Sequence, residues 1–145
     1  MPDDSSTIFV DTNIWLYAFV KSPSISKKNQ IASNLLSGGK LILSVQVINE
    51  ICVNLKQKVD FSVSQIANLI LSLYKKYHVI EFNKSILIRA SKLREQYSFS
   101  FWDSLIVSSA IFGNANILYS EDMQHNLTIE RTLKIINETA QKRYI

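Results

Sequence analysis

Cysteine is all but missing from this sequence. The single Cys52 stands in the apolar stretch Ile51-Cys52-Val53 and has no partner for an internal disulfide. A disulfide-stapled secreted scaffold is therefore excluded, and the thiol reads as a small buried hydrophobe in a reducing compartment. Glycine and proline are scarce too, three and two residues, so sharp turns are few and long regular elements are expected. There is no Gly-rich phosphate loop, and no Cys pair or His cluster of the kind that binds zinc. Runs of about 18 or more apolar residues are absent, so no helix is expected to span a membrane. The opening residues, Met1 to Thr7, are polar and acidic, the wrong character for a secretory signal, and a cytoplasmic location is expected.

Hydrophobic residues make up 47% of the 145 positions, ample for one buried core. Charged residues make up only 19%, which argues against disorder. The net charge of +4 is compatible with a polyanionic partner without demonstrating one. No repeat, linker or low-complexity segment interrupts the chain, and residues 1–145 read as a single domain.

Short apolar runs alternate with helical periodicity. Ile8-Phe9-Val10 reads as a strand, followed by a helix from Thr12 that Pro23 breaks. Ser24 or Ser26 is expected to cap a second helix, stopped by Gly38-Gly39. Leu41 to Leu43 reads as a strand, Val45 to Lys58 as a helix. Ser62 with Gln65 forms a capping-box pattern opening the next helix, to about Lys76. His78 to Ile80 is a strand, Lys84 to Gln96 a helix, Phe101 to Phe112 the most apolar helix, ended by Gly113. Ile117 to Tyr119 and Leu133 to Ile136 complete the strands. This alternation predicts an α/β/α sandwich with a mainly parallel sheet of four to five short strands.

Of the twelve acidic residues, four are oddly placed. Asp11 closes the first strand and Asp122 follows Ile117-Leu118-Tyr119. Glu50 lies within Val47-Ile48-Asn49-Glu50-Ile51, and Asp103 within Trp102-Asp103-Ser104-Leu105. Carboxylates are rarely buried unless paired or bound to metal. Residues after parallel strands, and those in the early turns of the following helices, gather at the carboxyl edge of the sheet, where ligands bind. Four carboxylates there repel one another and need cations to stay ionised. An all-oxygen site suits Mg²⁺ or Mn²⁺, which can generate a hydroxide and neutralise charge developing on a phosphodiester. Taken singly, Asp11 could be a helix cap, Glu50 a solvent-facing helical residue, Asp103 a complement to a helix dipole and Asp122 a loop residue. Those readings leave their common edge unexplained.

The string Phe9-Val10-Asp11-Thr12-Asn13-Ile14 resembles the opening motif of PIN-domain nucleases, including the VapC-type toxins. Asn49-Glu50, Trp102-Asp103-Ser104 and Tyr119-Ser120-Glu121-Asp122 continue the pattern in order, so the resemblance spans Ile8 to about Asn137. It implies that Asp11, Glu50, Asp103 and Asp122 form a metal-binding catalytic cluster, supported by Ser120 and Asn13. It also implies Mg²⁺- or Mn²⁺-dependent endoribonuclease activity on RNA, a cognate antitoxin as partner, and frequently a homodimer. Glu121 beside Asp122 leaves open which carboxylate completes the site, with alignment favouring Asp122. Asn126 stands where related sequences often carry Gly.

A phosphatase of the haloacid dehalogenase type would need a second carboxylate two residues after Asp11, where Asn13 stands. A receiver-type signalling domain would want an acidic pair and a late-strand Lys that are not evident. A housekeeping RNA-processing nuclease, or an inactive PIN-fold RNA-binding module, remains as an alternative; loss of one acid would favour the latter, and all four are present. Trp15 and Trp102 read as core residues rather than base-stacking platforms, and His78 as structural. His125 is a candidate for touching substrate. An antitoxin helix is expected on apolar helices around Ile31-Leu35-Leu36 and Ile66-Ile70.

Overall fold

The structure, a computed structural model, describes residues 5–138. Thr7-Ile8-Phe9-Val10, β-branched or aromatic throughout, forms β1 (Thr7–Val10) at the centre of the molecule, where Ile8, Phe9 and Val10 are all fully buried. Burial on both faces is what a continuous apolar run requires. α1 (Thr12–Phe19), α2 (Ser26–Leu35), β2 (Lys40–Ser44), α3 (Val45–Lys58), α4 (Val63–Lys76), β3 (His78–Ile80), α5 (Lys84–Tyr97), α6 (Phe101–Phe112), β4 (Ile117–Tyr119), β5 (Thr128–Ile129) and β6 (Leu133–Ile136) follow.

The sheet runs β3-β2-β1-β4-β6-β5, parallel except for β5, which pairs antiparallel with β6. It is the expected α/β/α sandwich with one strand more. β5 has two residues, too short to carry an alternating pattern, and it hangs on a turn in which Glu130 and Arg131 both take positive φ. From β1 the chain steps outward to β2 and β3, then returns to β4 on β1's other side. Right-handed crossovers in opposite directions deliver helices to opposite faces. Accordingly α1 packs on α2 and α3, α3 on α4, and α5 with α6.

Local chemistry sets most helix starts. Ser44, Asn83 and Ser100 accept backbone N–H groups of Val47, Ile86 and Asp103, and Ser62 with Gln65 makes the expected capping box. α2 differs from expectation: a 3-10 turn, Pro23–Ile25, leads into it, and no side chain caps it. Ser24 bonds the Ser22 hydroxyl instead. Gly113 is also used differently from a helix-ending glycine. Its φ is −80°, and Asn114 takes the left-handed position at 58°. A Cβ on Gly113 would stand 2.6 Å from Ile42 Cδ1, so the residue serves the close approach of α6 to the sheet. Asn126, with φ 67°, occupies a left-handed position that Gly and Asn both tolerate. Cys52 is half-buried rather than buried. Among the described residues, no helix is long and apolar enough to cross a membrane.

Candidate functional site

The sheet reverses its order between β1 and β4, and a crevice opens there beyond the strand ends. Val10 stands in register with Tyr119, and Asp11 N–H donates to the Tyr119 carbonyl at 2.9 Å. Pairing thus continues one residue past β1 and brings Asp11 beside Ser120. The crevice holds about 450 Å³, and Asp11, Asn13, Glu50, Asp103 and Asp122 all line it, with Thr12, Gln46, Asn49, Asn54, Trp102 and Ile106.

The four acids descend through the cleft. Asp11 is buried at the floor, Glu50 and Asp103 are half-buried on α3 and α6, and Asp122 is exposed at the rim. Asp11 is held twice: Thr12 N–H donates to Oδ1 at 2.7 Å, and the Ser120 hydroxyl to Oδ2 at 3.0 Å. It caps α1 and belongs to the cleft at once, so the capping reading and the site reading are both true. Ser120 Oγ also accepts Asp122 N–H at 3.3 Å, fixing the turn that carries the rim acid. The Thr12 hydroxyl donates to Glu50 Oε2 at 2.9 Å, and Gln46 Nε2 to Oε1 at 3.1 Å. Asn13 Nδ2 reaches Asp122 Oδ2 at 3.5 Å. Asp103, in the first turn of α6, has its backbone N–H on Ser100 Oγ.

Burial pushes the Asp11 carboxyl up to about 7, against the hydrogen bonds from Thr12 and Ser120 and with the charges of Glu50 and Asp122 adding to the rise. Asp103 is raised by burial, then by Asp122 and Glu50, while a hydrogen bond with Ser100 pulls the other way. Asp122 is raised by burial, then by Glu121 and Glu50. Carboxylates arranged in this way ionise together only with positive charge among them.

Glu121 has a different setting. Its carboxylate accepts the Tyr17 hydroxyl at 2.8 Å and Lys28 Nζ at 3.1 Å, and it does not line the cleft. Of the two adjacent acids, Asp122 is the one that the fold brings to the other three. His125 accepts Asn137 N–H through Nδ1 at 2.9 Å and does not line the cleft. Trp15 is core, 1% exposed, with its indole N–H on the Val10 carbonyl. Trp102 is not; it is 63% exposed at the cleft mouth.

Among the described residues no three acidic, His or Cys side chains stand close enough to hold one ion between them. The four acids line a common cleft instead, and Mg²⁺ typically keeps several waters and takes one or two carboxylates plus substrate phosphate. The donors present are oxygen only, as a hard cation wants. Gln46 Oε1 is buried in the cleft wall with no hydrogen-bond partner, an acceptor placed for a water on such a cation. The residues fit the group.

A family model of the PIN domain matches residues 8–128. The chain belongs to the PIN domain family. Solved structures similar to this PIN domain include a toxin–antitoxin complex from Klebsiella pneumoniae, at 20% identity and a TM-score of 0.67, covering 90% of this chain and 96% of that one. VapBC2 from Rickettsia felis, bound to a DNA fragment from its promoter, matches at 20% identity and 0.61, covering 89% and 98%. VapC20 from Mycobacterium tuberculosis, a Sarcin-Ricin loop cleaving toxin, matches at 16% and 0.61, covering 77% and 86%. At these identities the likeness is one of fold. No curated protein matches the chain in sequence.

For three residues of this PIN domain's site the motifs name no role. Thr12 and Gln46 orient Glu50. Asn137 donates through Nδ2 to the Glu121 and Met123 carbonyls, bracing the loop that carries Asp122. Gln46 lies one helical turn before Glu50, a signal that was available; Asn137 gives none before the loop is folded against β6.

Proposed function

We propose that this PIN domain is a cytoplasmic, Mg²⁺- or Mn²⁺-dependent endoribonuclease and the toxin of a type II toxin–antitoxin pair. The observation that carries the reading is Asp11: a carboxylate buried at the cleft floor, held at both oxygens, its charge opposed by burial and by acidic neighbours. A cap alone needs no such neighbours. Asp11, Glu50, Asp103 and Asp122 would hold a hydrated cation, in part through its waters, and when bound it supplies an activated water and positive charge opposite the phosphodiester. Thr12, Ser120, Gln46 and Asn13 keep the carboxylates oriented before substrate arrives, which spares that reorganisation during cleavage. The presence of all four acids in one cleft disfavours an inactive binding module.

Antitoxin partnership draws support from the toxin–antitoxin complexes among the similar folds. The apolar surface available for a partner helix meets the sequence expectation at Ile66. Leu35, Leu36, Ile66 and Ile70 pack partly against the core, and Ile66 also lines a shallow apolar groove between α3 and α4 with Val53 and Val63, which are 45% and 80% exposed. A homodimer belongs to the same proposal, with Ile88 and Phe112 exposed on α5 and α6 as apolar surface for it.

Purified protein should cleave RNA with Mn²⁺ or Mg²⁺ and stop in EDTA, and Asp11→Asn should be inactive with metal restored. Undiminished cleavage in rigorously metal-free buffer, or by Asp11→Asn, would overturn the mechanism.

A further inference from the structure

Trp102 is an aromatic that the fold does not use. Trp15 is buried with its indole N–H bonded, whereas Trp102 keeps 63% of its surface exposed at the mouth of the acidic cleft. Exposing a large aromatic face forgoes stabilisation that burial would give, and its place at the cleft mouth beside a second exposed ring makes a surface suited to a ligand or partner. One helical turn on, Ile106, 3% exposed, adds an apolar wall to the same cleft beside Asp103. On the outer side Phe101 is 51% exposed, its ring 5.6 Å from Trp102 at 74°. The Arg94 guanidinium lies 5.7 Å from the Phe101 ring. Carboxylates, a flat aromatic face, a second aromatic and a cation therefore follow one another outward from the cleft.

Aromatic faces interleaved with cations are the recognition chemistry of single-stranded nucleic acid, because every base has a π-face and every linkage a negative charge. A duplex offers no free base face here. A basic protein segment would suit the carboxylates but would meet the like charge of Arg94 on its way out, whereas a phosphate is attracted there. We propose that Trp102 stacks a nucleobase of single-stranded RNA next to the scissile phosphate, with Arg94 meeting a phosphate further along the strand. This rests on the ribonuclease reading and adds to it a base-stacking residue at the cleft mouth.

Two measurements test it. In EDTA, where cleavage is off, a short oligoadenylate should quench the emission of the exposed Trp102, while the matching duplex should not. The buried Trp15 gives a background that Trp102→Phe isolates. With Mn²⁺ and a single-stranded RNA substrate, Trp102→Ala should raise KM about tenfold, the loss falling on KM rather than kcat, and Trp102→Phe should recover most of it. Thermal melting should be unchanged, since so exposed a side chain contributes little to folding. Unquenched emission, or an unchanged KM in a normally folded Trp102→Ala, overturns the proposal. So does a Trp102→Ala that changes only oligomeric state or binding of a basic peptide. Quenching by oligoadenylate in a protein that cuts no RNA would retain the stacking and discard the nuclease reading; cleavage with unchanged KM would do the reverse.

Discussion

Asp11 carries opposed demands. Folding wants it uncharged at the cleft floor, while the cleft chemistry wants it ionised. Without metal, a carboxyl lifted from 3.8 to about 7 makes its full contribution to stability below about pH 4 and loses it as pH rises through about 7. The gap corresponds to no more than about 4 kcal/mol. Asp103 and Asp122 are raised as well and act in the same direction. Urea unfolding in EDTA should therefore show stability declining from about pH 4 to about pH 8, and Asp11→Asn should flatten the slope. Equal slopes in the two proteins would mean that Asp11 is ionised without cost in the folded state. The neighbouring acids make a second test. Glu121→Gln removes an ion pair with Lys28 on the far side of the loop and should cost about 1 kcal/mol or less while RNA cleavage continues. Asp122→Asn should abolish cleavage and leave the melting temperature in EDTA level or higher. The reverse assignment would move the fourth carboxylate of the site to Glu121.

α6 shows how one element serves both fold and site. Its N-terminal turn presents Trp102 and Asp103 to the cleft, and its C-terminal end comes down on the sheet where Gly113 leaves room. Gly113→Ala satisfies the backbone, since φ is −80°. Its methyl would nevertheless stand 2.6 Å from Ile42 Cδ1 and 3.0 Å from Ile80 Cδ1, so both buried side chains must shift within a packed core. Overpacking of this kind should cost about 1–3 kcal/mol. Ile42→Val removes the clashing atom, so the double variant should recover part of that loss in a double-mutant cycle of chemical denaturation. A neutral Gly113→Ala would show that α6 can lift from the sheet without penalty. The capped helices are simpler cases, because Ser62 and Gln65 find each other across a single turn whatever the rest of the chain does.

At the scale of the molecule, the two excursions of the chain around β1 create the crevice, and everything in it depends on β1 and β4 lying side by side. Strand and helix placement, the capping box, the parallel sheet and the four acids were legible in the sequence because each rests on local periodicity, local capping or position relative to a strand end. β5 was not, since two residues on a turn carry no period. Nor could local pattern choose between Glu121 and Asp122, adjacent residues with the same charge; the choice depends on Tyr17 and Lys28, about a hundred residues earlier, standing on one side of the loop. Trp102 shows the same limit in reverse. An aromatic in the first turn of an apolar helix has the pattern of a core residue, and only the packing of α6 leaves it facing the cleft. The sequence by itself determined which elements form and which residues end the strands, because those are contests between neighbours in the chain. Tertiary structure alone decided which carboxylates share a cleft, how far Asp11 is buried and which tryptophan stays exposed, because burial and charge proximity are set by residues distant in sequence and adjacent in space.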